Sequence, residues 1–103
     1  NLVVIVDNNN LQIDGEVSDV MSPYPIDEKF TAFGFHVINI DGHNFEEIEK
    51  ALAEAKTVKG KPTAMIAKTV KGKGVSFMEN QAGWHGKAMS EDEFAAAKAE
   101  LEG

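Results

Sequence analysis

The sequence predicts an α/β fold, a parallel sheet of three strands with about three flanking helices, and three observations carry that reading. Consecutive aliphatic residues at 2–6 form a run rich in β-branched side chains, which suits a strand buried on both faces in a helix-covered parallel sheet. Further apolar runs stand at 35–40 and 62–69, with a strongly amphipathic segment between them. Strands separated by helical connections return to one sheet by right-handed crossovers, so their pairing is parallel. With 103 residues, 43% of them hydrophobic and 26% charged, the chain has the balance of a globular domain that can build a core.

The elements follow in order. After the first strand comes a polar loop at 7–15. Residues 16–24 have no sustained period and contain Pro23, with Pro25 just beyond, so they read as irregular connection. Pro25 suits the first turn of a short helix, where Ile26, Phe30 and Phe33 recur at helical spacing and Gly34 suits a left-handed stop. The second strand, 35–40, carries Val37, Ile38 and Ile40 and ends in the turn Asp41, Gly42 and His43. Asn44 is a good N-cap, and Glu47 three residues on makes a capping-box-like pattern. Phe45, Ile48, Ala51, Leu52 and Ala55 then form the apolar stripe of a helix whose end is marked by Lys56, Lys59 and Gly60. The third strand, 62–69, has Ala64, Met65, Ile66 and Ala67 as its buried centre. The glycine-rich stretch 71–87 reads as a long loop over the same carboxyl edge of the sheet as 7–15. Ser90 and Glu93 form a second capping box before a helix with Phe94, Ala97 and Leu101 on one stripe.

The charge narrows the function classes. Seventeen acids face ten lysines, with no arginine and a net charge of −7, which argues against a nucleic-acid partner and against a membrane surface. There is no cysteine, so neither a disulfide framework nor a thiolate metal site exists. No segment is apolar for the length of a membrane span and no secretory signal is visible, so the simplest expectation is a soluble, cytoplasmic protein. The chain opens on Asn1 and enters a strand almost at once. It is expected to be a piece of something longer, the alternative being a trimmed complete domain.

The loop at 7–15 sets Asp7, Asn8, Asn9 and Asn10 at the carboxyl end of a strand, where open α/β sheets place ligands. Amide, carboxylate and carbonyl oxygens are hard donors suited to magnesium or calcium. The competing reading is an ordinary Asn-rich turn. An EF-hand loop fails, because the fifth and sixth positions from Asp7 are Leu11 and Gln12. Lys71 or Lys73, in the Lys-Gly-Lys-Gly string at 71–74, could bring a positive charge to phosphate oxygens where glycines allow close approach, although the string is not a Walker loop. A solvated turn is the competing reading there. Of the three histidines, His36 in a strand and His43 at a turn read as structural. His85, glycine-flanked and beside the only tryptophan, is the functional candidate. Asp7, Asp14 and Asp41 read as strand-end and turn residues.

The string from Ile5 to Gly15 closely resembles the closing half of the thiamine diphosphate motif of transketolases. In that family the motif opens upstream with Gly-Asp-Gly and closes with an asparagine, and together they hold the magnesium that carries the cofactor's diphosphate. The order of a lysine-glycine loop, a spacer, then Trp84, His85 and Gly86 is similar to that of human-like and short bacterial two-subunit transketolases. The resemblance implies that Asn9 gives its side-chain oxygen and Leu11 its backbone carbonyl to Mg2+, with Ca2+ as a substitute, and that Ile13 lies near the thiamine diphosphate. It implies that Lys71 reaches the cofactor and that His85, as the catalytic group, contacts both cofactor and substrate. It runs collinearly through the whole chain, so residues 1–103 are expected to be a single partial domain, the second half of the diphosphate-binding domain.

The implied activity is transfer of a two-carbon ketol unit from a ketose phosphate to an aldose phosphate. Implied partners are sugar phosphates and the remaining transketolase segments or a pyrimidine-binding subunit, in a dimer or heterotetramer. The upstream Gly-Asp-Gly element is absent from these residues, as is the pyrimidine-binding domain with its activating glutamate, so the chain alone is expected to be inactive and to leave a sheet edge unpaired. Alternatives are a 1-deoxy-xylulose-5-phosphate synthase-like enzyme or two-oxo-acid dehydrogenase subunit, whose fit to Leu11–Gly15 and Trp84–Gly86 is poorer, and a non-catalytic binding domain with a degenerate cofactor loop.

Overall fold

A computed structural model describes residues 1–103. Its architecture is built on the third apolar run, now strand β5, because that strand is paired on both edges. The elements in order are β1 (Val3–Asn8), β2 (Leu11–Gln12), β3 (Gly15–Glu16), α1 (Val17–Val20), α2 (Ile26–Ala32), β4 (His36–Asp41), α3 (Phe45–Thr57), β5 (Thr63–Lys68), a 3-10 turn (Ala82–Trp84) and α4 (Glu91–Glu102). They form two compact units. One comprises Asn1–Asn8 and Pro23–Thr69, the other Asn9–Ser22 and Val70–Gly103.

The first unit is the expected α/β layer: a three-stranded parallel sheet in the order β1-β5-β4. Val3 and His36 both pair with Thr63, and Asn8 and Asp41 both pair with Lys68. The three strands therefore end level. In β5 the residues from Thr63 to Ala67 are all buried and Met65 is 1% exposed, as a strand with neighbours on both edges and helices over the sheet requires. Met65 and Ala67 point to one face, where Ile40 of β4 and Ala51 of α3 complete the core and Ile38 and Ile48 border it. Alternation turns the neighbouring side chains the other way, and there Asn39 donates to Asp27 of α2 at 3.4 Å. Phe30 of α2 meets Phe35 edge to face, centroids 5.0 Å apart.

Several expectations are corrected. β1 is not buried on both faces: its residues alternate between exposed and half-buried, with Ile5 61% exposed, because α2 and α3 pack on β4 and α2 on β5, while β1 makes its main contacts with β5 alone. The segment 16–24 is not simply irregular, since Gly15–Glu16 pairs antiparallel with Leu11–Gln12 and Val17–Val20 is helical. Pro25 is the N-cap of α2 rather than a first-turn residue, and Gly34 does take the left-handed conformation, at φ 86. Asn44 caps α3 by accepting from the amides of Glu46 and Glu47. No reciprocal box forms there, because the Glu47 carboxylate accepts instead from the Asp41 amide, at 2.8 Å. α3 ends with Val58 extended, so the left-handed Gly60 belongs to the turn beyond it. Phe45 opens the stripe of α3 but is 86% exposed, and only Ala51 and Ala55 of that stripe are buried. The stripe of α4 likewise buries only Ala97.

Gly42 is held by close approach rather than by its dihedral angles. Its amide donates to the Lys68 carbonyl at 2.7 Å, and an added Cβ would lie 2.5 Å from Thr69 Cγ2 and 3.1 Å from both Ala67 Cβ and the Lys68 oxygen. Gly42→Ala is expected to cost about 1–3 kcal/mol by overpacking. Met65→Ala should cost about 2–5 kcal/mol through the cavity it leaves. Both are read as a lowered urea midpoint at unchanged slope.

Candidate functional site

The polar loop begins where β1 ends. Asp7 accepts the Thr69 hydroxyl, and the Thr69 amide donates to the Asn8 carbonyl at 3.2 Å. These two bonds tie together the strand ends from which both functional loops depart. Asp7 is thus occupied within the sheet, as a strand-end residue. Asn8 accepts from the Tyr24 hydroxyl at 2.9 Å.

Asn9 is half-buried, and its Oδ1 accepts the Leu11 amide at 2.9 Å, the local turn that asparagine favours. An amide oxygen has two lone pairs, so this bond leaves one acceptor direction on Asn9. Asn10 follows in the left-handed region, at φ 62, which asparagine tolerates better than most residues. Leu11 and Gln12 pair with Glu16 and Gly15, leaving Ile13 and Asp14 as the tip of a two-residue hairpin. Gln12 Oε1 accepts the Asp14 amide at 2.9 Å, and the Val17 amide closes the base on the Asn10 carbonyl at 3.1 Å. Buried Val17 anchors the hairpin, while Ile13 at its tip is 64% exposed.

The second loop is a chain of tight turns rather than an unstructured span. The Asn80 amide donates to the Lys71 carbonyl at 3.0 Å and closes it. Gly72 sits at φ 72, where a Cβ would lie 2.7 Å from both Met78 Cβ and the Met78 carbonyl oxygen, so no other residue fits. The loop also separates its two lysines. Glu79 Oε1 accepts the Gly74 amide at 3.0 Å and lies 3.8 Å from Lys73 Nζ. A side-chain carboxylate thus stands beside Lys73. Lys71 is half-buried and its ammonium has no ion pair.

The third segment opens with the 3-10 turn Ala82–Trp84. The His85 amide donates to the Ala82 carbonyl at 2.9 Å, and the residue itself is exposed. Strand β3 packs against this turn, so the Asn-rich hairpin lies beside the Trp-His-Gly segment within one unit. Asn9, Leu11, Ile13, Lys71 and His85 all belong to that unit. The other histidines lie in the sheet-bearing unit, apart from that set. His36 Nε2 lies 2.7 Å from Glu54 and links β4 to α3, and the His43 amide donates to Asp41 Oδ1 at 2.9 Å in a turn.

The donor set fits a hard cation in kind but only in part. No three His, Asp or Glu side chains converge as a metal site, while the Asn9 side-chain oxygen and the Leu11 carbonyl are neutral oxygens of the type magnesium accepts. Magnesium demands close to six oxygens in an octahedron, so these two would be a minority of its shell. Sequence reasoning passed over Lys87, which lies over the Trp84 ring at 3.9 Å from its centroid and 2.9 Å from Glu93. The spacing from Trp84 to Lys87 was the available signal, because it lets a side chain fold back over the ring.

Comparison with known proteins gives one consistent result. The family model described as the transketolase thiamine diphosphate binding domain matches residues 1–102. The chain is 42% identical over 101 residues to the 6-deoxy-6-sulfo-D-fructose transketolase subunit of Clostridium sp. (strain MSTE9), covering 98% of this chain and 37% of that protein. It is 38% identical to an apulose-4-phosphate transketolase subunit of Actinobacillus succinogenes, covering 98% and 36%. A crystal structure of the transketolase of Campylobacter jejuni superposes with a TM-score of 0.90 at 37% identity, over 99% of this chain and 16% of that one. The chain thus spans little more than a third of the two relatives named as subunits.

One titration belongs to this unit. The Ser90 amide, and after it the Lys87 ammonium, hold the Glu93 carboxyl down to about 2 from its ordinary 4.5. A depressed carboxyl stabilises the fold fully above its unfolded value and ceases to do so as pH falls through its folded one. Acidification from about 4.5 towards 2 is therefore expected to release the start of α4. Glu93→Gln should remove that dependence, as followed by NMR titration of the Ser90 amide.

Proposed function

The chain belongs to the transketolase family through its thiamine diphosphate binding domain, and from that membership we propose that it is the second half of that domain and holds one side of the cofactor site. The observation that carries this reading is the collection of Asn9, Leu11, Ile13, Lys71 and His85 into one unit, with the hairpin packed beside the His85 turn.

Asn9 offers a side-chain oxygen, and Leu11 a carbonyl, to the magnesium of a bound diphosphate. Lys71 is the cation for the diphosphate, because Glu79 has already engaged Lys73. An ammonium on a flexible stem can follow phosphate oxygens without demanding a fixed geometry. Ile13, exposed at the hairpin tip, gives the thiamine an apolar contact. Thiamine diphosphate, when bound, supplies the carbon chemistry that cleaves and forms the sugar's carbon–carbon bond. His85 donates a proton to, or takes one from, the reacting sugar oxygen, a task for which imidazole is suited near neutral pH.

The parent activity is ketol transfer from a ketose phosphate to an aldose phosphate. Two relatives named as transketolase subunits support a parent divided among subunits; on this reading the remaining segments include a pyrimidine-binding subunit, and the assembly is a cytoplasmic dimer or heterotetramer. No helix is long and apolar enough to cross a membrane. The exposed apolar residues of edge strand β1 favour association with those segments or, in their absence, with further copies.

The test compares the chain alone with a version extended upstream through the Gly-Asp-Gly element. The chain alone is expected to show no turnover with saturating cofactor, magnesium and sugar phosphates. The extended version should bind thiamine diphosphate with magnesium in calorimetry, and Asn9→Ala should weaken that binding about tenfold or more. Binding unchanged by Asn9→Ala would remove the hairpin from the site.

A further inference from the structure

The turn that presents His85 is tied down by side chains outside the proposed set of cofactor contacts. Trp84 precedes His85, and its indole N–H donates to the Phe77 carbonyl at 3.3 Å while the ring tilts against Phe77 at 5.7 Å between centroids. Lys87, two residues after His85, folds back so that its ammonium lies 3.9 Å from the Trp84 centroid. The same ammonium lies 2.9 Å from Glu93 Oε1. The second oxygen of Glu93 accepts the Ser90 amide at 2.8 Å, within the capping box that starts α4.

Contact between residues 84 and 87 leaves only His85 and Gly86 in the span. So short a closure requires a sharp reversal, and Gly86 makes it at φ 76, where a side chain is disfavoured. The closure constrains the backbone on both sides of His85 yet leaves that residue exposed. An exposed cation–π contact or an exposed ion pair is weak by itself. Here one ammonium makes both, so each contact reduces the freedom that the other would have to restrict. The pairs Lys73 with Glu79 and Lys98 with Glu102 are longer, at 3.8 and 3.7 Å, and no cation–π contact accompanies them.

The geometry points to Lys87 and Glu93 as positioning residues for His85: Glu93, fixed on the first turn of α4, holds Lys87 against Trp84, and this clamp sets the turn that presents the imidazole. Its value to catalysis rests on the proposed role of His85, while the clamp itself rests on the contacts above. A presented imidazole held in one turn loses less freedom when it meets a ligand.

The experiment uses the 103-residue chain without cofactor, so its result is independent of whether His85 meets thiamine diphosphate. Trp84 is the only tryptophan, and its fluorescence therefore reports on the clamp alone. Lys87→Met is expected to raise acrylamide quenching of Trp84 about twofold and to speed amide exchange at His85 and Gly86 roughly three- to tenfold, with far-UV circular dichroism unchanged. Lys87→Arg should restore both readings, since a guanidinium can stack on the ring and pair with the carboxylate. Glu93→Gln should shift both in the same direction as Lys87→Met. Lys98→Met should shift neither. Wild-type quenching and exchange in Lys87→Met would overturn the proposal, and so would failure of Lys87→Arg to rescue. Should Glu93→Gln unfold α4, the Lys87 pair of variants still decides.

Discussion

A parallel strand in the middle of a sheet must find hydrogen-bond partners on both edges and cover on both faces. β5 meets that requirement with β1 and β4 at its sides and a run of small and medium apolar residues along its length. The register that follows ends the three strands level, at Asn8, Lys68 and Asp41. From that level edge the two polar segments depart, after Asn8 and after Thr69, stitched by the bonds among Asp7, Asn8 and Thr69. The points at which the two polar segments leave the sheet are therefore a consequence of core pairing, since another register would end the strands elsewhere.

The unit that carries the candidate residues is organised differently. It has few buried apolar side chains, Val17, Val75 and Ala97 among them, and is held largely by turns whose polar groups satisfy one another. Asn9 accepts from Leu11, Gln12 from Asp14, Glu79 from Gly74 and Glu100 from Ser76. Such local bonding places backbone carbonyls and amides where a ligand could use them, at a small stability contribution for each bond. In a chain of net charge −7, the acids also select among the lysines. Glu79 takes Lys73 and Glu93 takes Lys87, which leaves Lys71 with its charge uncompensated.

The α/β class, the parallel pairing, the buried centre of the third strand and the α4 capping box were legible in the sequence, each because it rests on a local pattern. The Asn-rich motif was legible as family membership, which the match over residues 1–102 bears out. Errors clustered where a local pattern meets a tertiary competitor. Glu47 stands at capping-box spacing, but the Asp41 amide at the end of β4 takes its carboxylate. The hydrophobicity of β1 predicts burial, yet the helices pack mainly on β4 and β5 and leave Ile5 exposed. The hairpin at Leu11–Glu16 is too short to show alternation.

By itself the sequence determined the three strands of the parallel sheet and the helices α2, α3 and α4, which family the chain belongs to, and which side chains have the chemistry for a diphosphate and its metal. Those properties depend on residue type and on spacings of a few positions, which a linear chain displays directly. Only the tertiary structure decided which loop lysine is left without an ion pair, that β3 packs beside the His85 turn, and that Lys87 is folded over Trp84 by a carboxylate six residues on. Each of these is a competition between partners of equal chemical fitness, and distance in the folded chain is what settles it.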